Sequence, residues 1–168
     1  MSEKFLHNSV FCLFCESSEE YNVEAFLKGL GFNVITSLVE RFIFKNGKWK
    51  KELRSIIPGY VFFEHAGEPL WEKIYENEHI YYALHYSDKS KNLKAHDLKF
   101  IQWLKRQNGM IKTSKAIEIG NKIKILEGPL KELEGKIIKI NKKQKSACVK
   151  IEGEGIINKI WLSYENIE

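Results

Sequence analysis

Cys12 and Cys15 are the first residues whose spacing suggests chemistry. A C-x-x-C pair forms a redox dithiol when it opens a helix, whose N-terminus lowers the thiol pKa. Here the surrounding run, Val10-Phe11-Cys12-Leu13-Phe14-Cys15, reads as a strand. Residues three apart on a strand face opposite sides, so the two thiols are expected to be separated and packed. Cys148, between Ala147 and Val149, reads as a third packed thiol, and three cysteines make no disulfide framework. The histidines at 7, 65, 79, 85 and 96 lack zinc-ligand spacing. His79 and His85 flank a strand and could meet a base or a phosphate, though plain surface placement is the simpler reading. There is no G-x-S-x-G elbow, no P-loop and no paired carboxylate. Gly153-Glu154-Gly155 has neither a third glycine nor a following helix and reads as a turn. The chain is therefore expected to bind rather than catalyse, with no catalytic residue, metal or cofactor.

What remains is basic and aromatic surface. The formal net charge of +5 permits an anionic partner such as nucleic acid without requiring one. Two lysine-rich clusters stand out. Arg41, Lys45, Lys48, Lys50, Lys51 and Arg54 surround Asn46-Gly47, and Lys139, Lys142, Lys143 and Lys145 surround Asn141. Aromatic residues make up 12% of the chain, more than a minimal core needs. Strand alternation puts Tyr60 and Phe62 on one face, Val61 and Phe63 on the other, and Phe14 with Cys12. If helices cover only one side of the sheet, an aromatic face is open for a protein partner. If they cover both, these rings are core.

The elements that must position these residues follow from periodicity and turn chemistry. Ser17 as N-cap with Glu20 three residues on forms a capping box. It opens a helix whose apolar positions are Val23, Phe26, Leu27 and Leu30, closed by Gly29 and Gly31. Val34 to Phe44 reads as one long strand, turned back at Asn46-Gly47. The chain returns from Leu53 to Glu64, broken at Pro58-Gly59. Pro69 opens a second helix with Leu70, Trp71, Ile74 and Tyr75. Tyr81 to Leu84 is a further strand, and Leu98, Ile101 and Leu104 mark a third helix, stopped by Asn108-Gly109. The order β-α-β-β-α-β-α predicts helices on an antiparallel sheet, an α+β fold, over residues 1–108. Residues 109–116, polar and without periodicity, read as a linker. In 117–168, short strands at Lys122–Ile125, Gly135–Ile140, Ala147–Ile151 and Ile156–Trp161 predict a small β-barrel. Ile123, Ile125, Ile137, Ile140, Val149 and Ile151 would fill it, Trp161 would cap it, and Gly135 would stand where a residue without Cβ is favoured. No apolar run approaches a membrane span, and the polar N-terminus carries Glu3, unlike a signal peptide. A cytoplasmic protein without a membrane partner is expected.

Ile57-Pro58-Gly59-Tyr60-Val61-Phe62-Phe63-Glu64, after a basic hairpin and before a helix, resembles the N-terminal (NGN) domain of NusG-type transcription elongation factors. The run Gly120 to Ile125, then Gly128-Pro129-Leu130-Lys131-Glu132-Leu133-Glu134-Gly135-Lys136-Ile137, resembles the KOW motif. The KOW motif alone also occurs in ribosomal proteins, whereas the two motifs in this order are highly specific. The resemblance implies an NGN-type α/β sandwich followed by a KOW β-barrel. It further implies docking of the first domain on the clamp of core RNA polymerase and recruitment of a second partner by the KOW domain. By position, Phe14, Tyr60 and Phe62 would lie on the docking face, and Trp71 and Lys73 would approach the opposing side of the polymerase. The arm from Lys45 to Arg54 would lie near upstream nucleic acid.

Two departures from the housekeeping pattern bear on the partners. Ile80-Tyr81 replaces the usual Gly-Val entering the fourth strand, and Glu132 replaces the middle glycine of the KOW loop. With the lysine-rich arms, they are similar to a specialised paralogue of the RfaH or, preferably, the LoaP antiterminator type. Such a protein, expected to be monomeric, would suppress pausing and termination after recruitment by a hairpin in nascent RNA. The rival readings are a general NusG elongation factor linking polymerase to a ribosomal protein or termination factor, and a ribosome-associated KOW protein. The β-branched C-terminal strands imply that this half stays β rather than refolding into helices.

Overall fold

Five of the seven residues in Ser9–Cys15 are buried, on both faces of the strand. A strand with that pattern must lie inside a sheet covered on both sides. The computed structural model describes residues 8–151 and 157–167. Its N-terminal elements are β1 (Ser9–Cys15), α1 (Glu20–Gly29), β2 (Asn33–Ile35), β3 (Leu38–Lys45), β4 (Lys48–Ser55), β5 (Tyr60–His65), α2 (Trp71–Ile74), β6 (Ile80–Ala83) and α3 (Ala95–Arg106). One antiparallel sheet runs β2-β5-β1-β6. Phe11, Leu13, Cys15, Val61 and Phe63 share a core with Val23 and Leu27 of α1 and Ile74 of α2. Val10, Cys12 and Phe62 join a second core with Phe100, Ile101 and Leu104 of α3. The fold is α+β, and helices cover both faces of the sheet. Cys12 and Cys15 lie in different cores as free thiols, as the strand spacing requires. Burial first, then neighbouring carboxylates including Glu20, pushes Cys15 up to about 12, so the thiolate is disfavoured.

Two local expectations change. No capping box forms at α1, which begins at Glu20 with Glu19 before it and no side-chain cap. The Glu20 carboxylate instead accepts the Gly59 N–H at 2.8 Å. The single strand expected from Val34 to Phe44 breaks at Thr36-Ser37, because β2 pairs with β5 while β3 pairs with β4. Tertiary contacts hold the break: Leu38 N–H donates to Gly109 O at 2.8 Å and Ile56 N–H to Ser37 O at 3.0 Å.

The later elements are β7 (Met110–Ile111), β8 (Ser114–Ile119), β9 (Lys122–Glu127), α4 (Pro129–Glu132), β10 (Ile137–Asn141), β11 (Ser146–Lys150) and β12 (Lys159–Asn166). Residues 109–116, expected as a linker, are woven into both halves. β7 pairs in parallel with Leu38 and Val39, giving a second sheet ordered β4-β3-β7. Thr113 donates its N–H and Oγ1–H to Glu40 Oε2, both at 2.9 Å. Polar composition misleads here because the polar groups are satisfied by the protein rather than by water.

The C-terminal sheet runs β10-β11-β12-β8-β9, and β9 and β10 are not paired among the described residues, so the barrel is open. Ala116, Ile125, Leu130, Ala147, Val149, Ile160 and Leu162 belong to its core, which is continuous with the core under α3. Gly135 is exposed within a 3-10 turn, Glu134–Lys136, and a Cβ there would meet nothing within 4 Å. The constrained glycine is Gly128, with φ +104. The expected turn at Gly153-Glu154-Gly155 lies outside the described residues, as does Ile156, and the last strand starts at Lys159. Cys148 and Ser163 point away from the partners of Ala147 and Leu162 yet are also buried. β12 lies against β3 on that side. The Ile157 N–H donates to Asp97 Oδ1 at 2.9 Å, and Lys51 pairs with Glu165 at 3.5 Å, so the two halves are joined by core, hydrogen bond and ion pair.

Candidate binding surfaces

β1 and β5 pair so that Phe14 stands opposite Tyr60, and β6 places Tyr82 on its other side. α3 packs over Cys12 and Phe62, while at this end of the sheet Phe14 and Tyr60 are only half-buried. The Phe14 ring lies 5.9 Å from Tyr60, 5.5 Å from Tyr81 and 5.4 Å from Tyr82. Tyr81 is 54% and Tyr82 48% exposed. The backbone beneath is fixed by Gly59, whose φ is +86. A Cβ there would lie 3.1 Å from both the Phe14 ring and Cys15 O. Cys15 N–H donates to Gly59 O at 2.7 Å, while Glu20 holds the Gly59 N–H. The result is a rigid apolar patch of four aromatic rings, three of them carrying hydroxyls.

Phe62, expected on this surface, is fully buried and its ring lies 6.3 Å from that of Phe100. Alternation assigned its face correctly, but the reach of α3 decides what that face meets. Trp71 and Lys73 lie on α2, which packs on the other face. Trp71 is half-buried, edge-on to Phe11 at 5.5 Å, and donates from Nε1 to Glu68 at 2.5 Å. Lys73 is exposed beside Glu76. Neither joins the Phe14 patch. Tyr81 and Tyr82 do: simple alternation would separate adjacent tyrosines, but the register shifts between Phe14 and Cys15, Ile80 and Ala83 both turn into the core under α1 and α2, and both tyrosine rings come to Phe14.

The second surface starts at the hairpin. Asn46 and Gly47 have φ +54 and +73, the left-handed pair that a tight two-residue hairpin turn needs. Register puts Lys45 opposite Lys48 and Ile43 opposite Lys50 on one face, with Phe42 opposite Lys51 and Phe44 opposite Trp49 on the other. Arg54 is tied to Glu52 at 2.7 Å, and burial lowers the pKa of Arg41. The turn between β10 and β11 comes to meet this arm. Lys145 Nζ sits 5.1 Å from the ring centroids of both Phe42 and Trp49. Lys142 pairs with Glu118 at 3.7 Å, whereas Lys139 and Lys143 project as exposed cations. Of the second cluster, Lys145 is thus the lysine that joins the hairpin arm.

The family model described as "Transcription termination factor nusG" matches residues 9–102, more than half of the chain. The chain belongs to the NusG family. The match runs from β1 into α3, so it spans both the aromatic patch and the hairpin arm. No curated protein matches the chain. A solved structure described as "Domain interaction in Thermotoga maritima NusG" is similar at 16% identity, with 93% of each chain covered and a TM-score of 0.48. As a NusG-family member the protein is a transcription factor. Among the described residues no helix is long and apolar enough to cross a membrane.

Proposed function

We propose that this NusG-family protein is a specialised antiterminator of the LoaP type, docked on the clamp of core RNA polymerase and recruited by a hairpin in a leader transcript. The observation that carries the docking role is the exposed Phe14–Tyr60–Tyr81–Tyr82 patch, held by Gly59 and Glu20. Tyrosine is favoured at interfaces because a large apolar ring comes with a hydroxyl that tolerates water. A factor that binds the closed clamp better than the open one shifts the polymerase towards the closed state and so opposes pausing. Recruitment by RNA is supported by the lysines of the hairpin arm and by Lys145, which reaches that arm from the β10–β11 turn. Phosphate contacts would dominate that affinity and make it fall with salt. A paired stem would be read by shape.

Capture of purified core polymerase tests the docking role. Tyr60→Ala with Tyr81→Ala should weaken capture by about thirtyfold or more, the scale of an interface hot spot. Failure of the wild-type chain to capture polymerase overturns the reading. Titration with structured leader RNAs across a salt series tests recruitment, and binding no tighter than to random single strands removes that part.

A further inference from the structure

Phe44 and Trp49 face each other across the hairpin tip, 61% and 43% exposed, with ring centroids 5.4 Å apart and planes at 61°. The pair belongs to neither core. Lys145, from the other half of the molecule, reaches the Trp49 ring, and its carbonyl accepts the Tyr164 N–H at 3.0 Å, which ties its turn to β12. Directly opposed lysines, Lys45 and Lys48, end the hairpin. Like charges in that position repel each other. Among the described residues no ion pair engages Lys45, Lys48, Lys50 or Lys145. Lys45 and Lys48 lie on the other face of the hairpin, while Lys51 and Lys145 stand on the side of the rings. An occupant that meets both the rings and the cations beside them must offer a flat π-face with negative charge a few ångströms away, which is the chemistry of a nucleotide. A base inside a duplex hides its faces, whereas a loop base can splay out and stack.

We infer that the Phe44–Trp49 pair, completed by Lys145, is a stacking platform for an unpaired base in the loop of an RNA hairpin. This rests on the RNA-recruitment reading and assigns it a site built from both halves of the chain. Lys145, on the side of the rings, meets a phosphate next to the stacked base, and Lys45 and Lys48, on the other face of the tip, meet phosphates farther along the strand.

The test uses the full chain and two labelled RNA hairpins with the same stem, one with an adenosine loop and one whose loop is abasic. Wild type should bind the adenosine loop more tightly. Trp49→Ala should weaken that binding about tenfold, within the usual range for base–aromatic stacking, and leave the abasic hairpin unchanged. Trp49→Phe should restore most of the loss. Lys145→Ala should weaken both hairpins and reduce the salt slope by about one. Equal wild-type affinity for the two loops, or equal loss on both in Trp49→Ala, overturns the platform while leaving RNA recruitment intact. No binding to either hairpin overturns both readings. Equally tight binding of the same loop sequence as DNA overturns the assignment to RNA. Loss of polymerase capture in Trp49→Ala, with RNA binding unchanged, would mean that the rings dock protein.

Discussion

A methyl group added at Gly128 would lie 2.7 Å from both Cα and Oγ of Ser114, on backbone with φ +104. Ser114 cannot retreat, because its Oγ accepts the Leu130 N–H at 2.9 Å in a buried position. Gly128→Ala should therefore cost about 1–3 kcal/mol in urea unfolding, while Gly135→Ala should stay within about 0.5 kcal/mol. The sequence points to Gly135 through its motif. The strain at Gly128 depends on a strand fourteen residues earlier and is invisible to local reading. His79 gives a second test at this scale. Its hydrogen bond with Glu16 at 2.8 Å, helped by Glu19, raises its pKa above the ordinary 6.5. The protonated ring is thus favoured in the folded chain. Its contribution is present below the ordinary value and is lost as pH rises through the folded one. An NMR titration should find the His79 midpoint above 6.5, and Glu16→Gln should bring it down.

Among the elements, α3 decides which aromatic rings are surface. Phe62 is sealed beneath it, whereas Tyr60, on the same face of β5, packs at the edge of that core and stays partly open. Helix periodicity made α3 legible, and strand alternation made the faces legible. How far one layer extends over the other is a matter of packing that neither pattern encodes. The same holds for the break at Thr36-Ser37 and for β7, where partners brought from elsewhere override a plausible local pattern. Phe100 is the ring that seals α3 to the sheet, 6.3 Å from Phe62 and 5.9 Å from Trp103. Phe100→Ala should destabilise the chain by about 3–5 kcal/mol in a denaturant titration.

At the scale of the whole molecule, the two motif regions recognised in the sequence are not independent. Asp97, at the start of α3, is fully buried and accepts the Tyr86 O–H at 2.6 Å and the Ile157 N–H at 2.9 Å. Burial first, then this hydrogen bond, pushes the Tyr86 phenol up to about 12. Asp97→Ala strands both donors and should cost at least about 2 kcal/mol. Because the core is shared, probes in either half of the wild-type chain should report one unfolding transition. The sequence gives no hint of this coupling: Asp97 sits among surface-type residues, and its partner Ile157 is sixty positions away.

The strand order β10-β11-β12-β8-β9 has a consequence for synthesis. β12 is the latest of the five to be made, yet it lies in the middle. Until Asn166 has left the ribosome, β8–β9 and β10–β11 exist only as two separate hairpins. Each is marginal alone and presents an open edge. A message truncated before Lys159 would therefore yield a sticky, half-assembled nascent chain, and the cell would meet it as a substrate for chaperones and proteases.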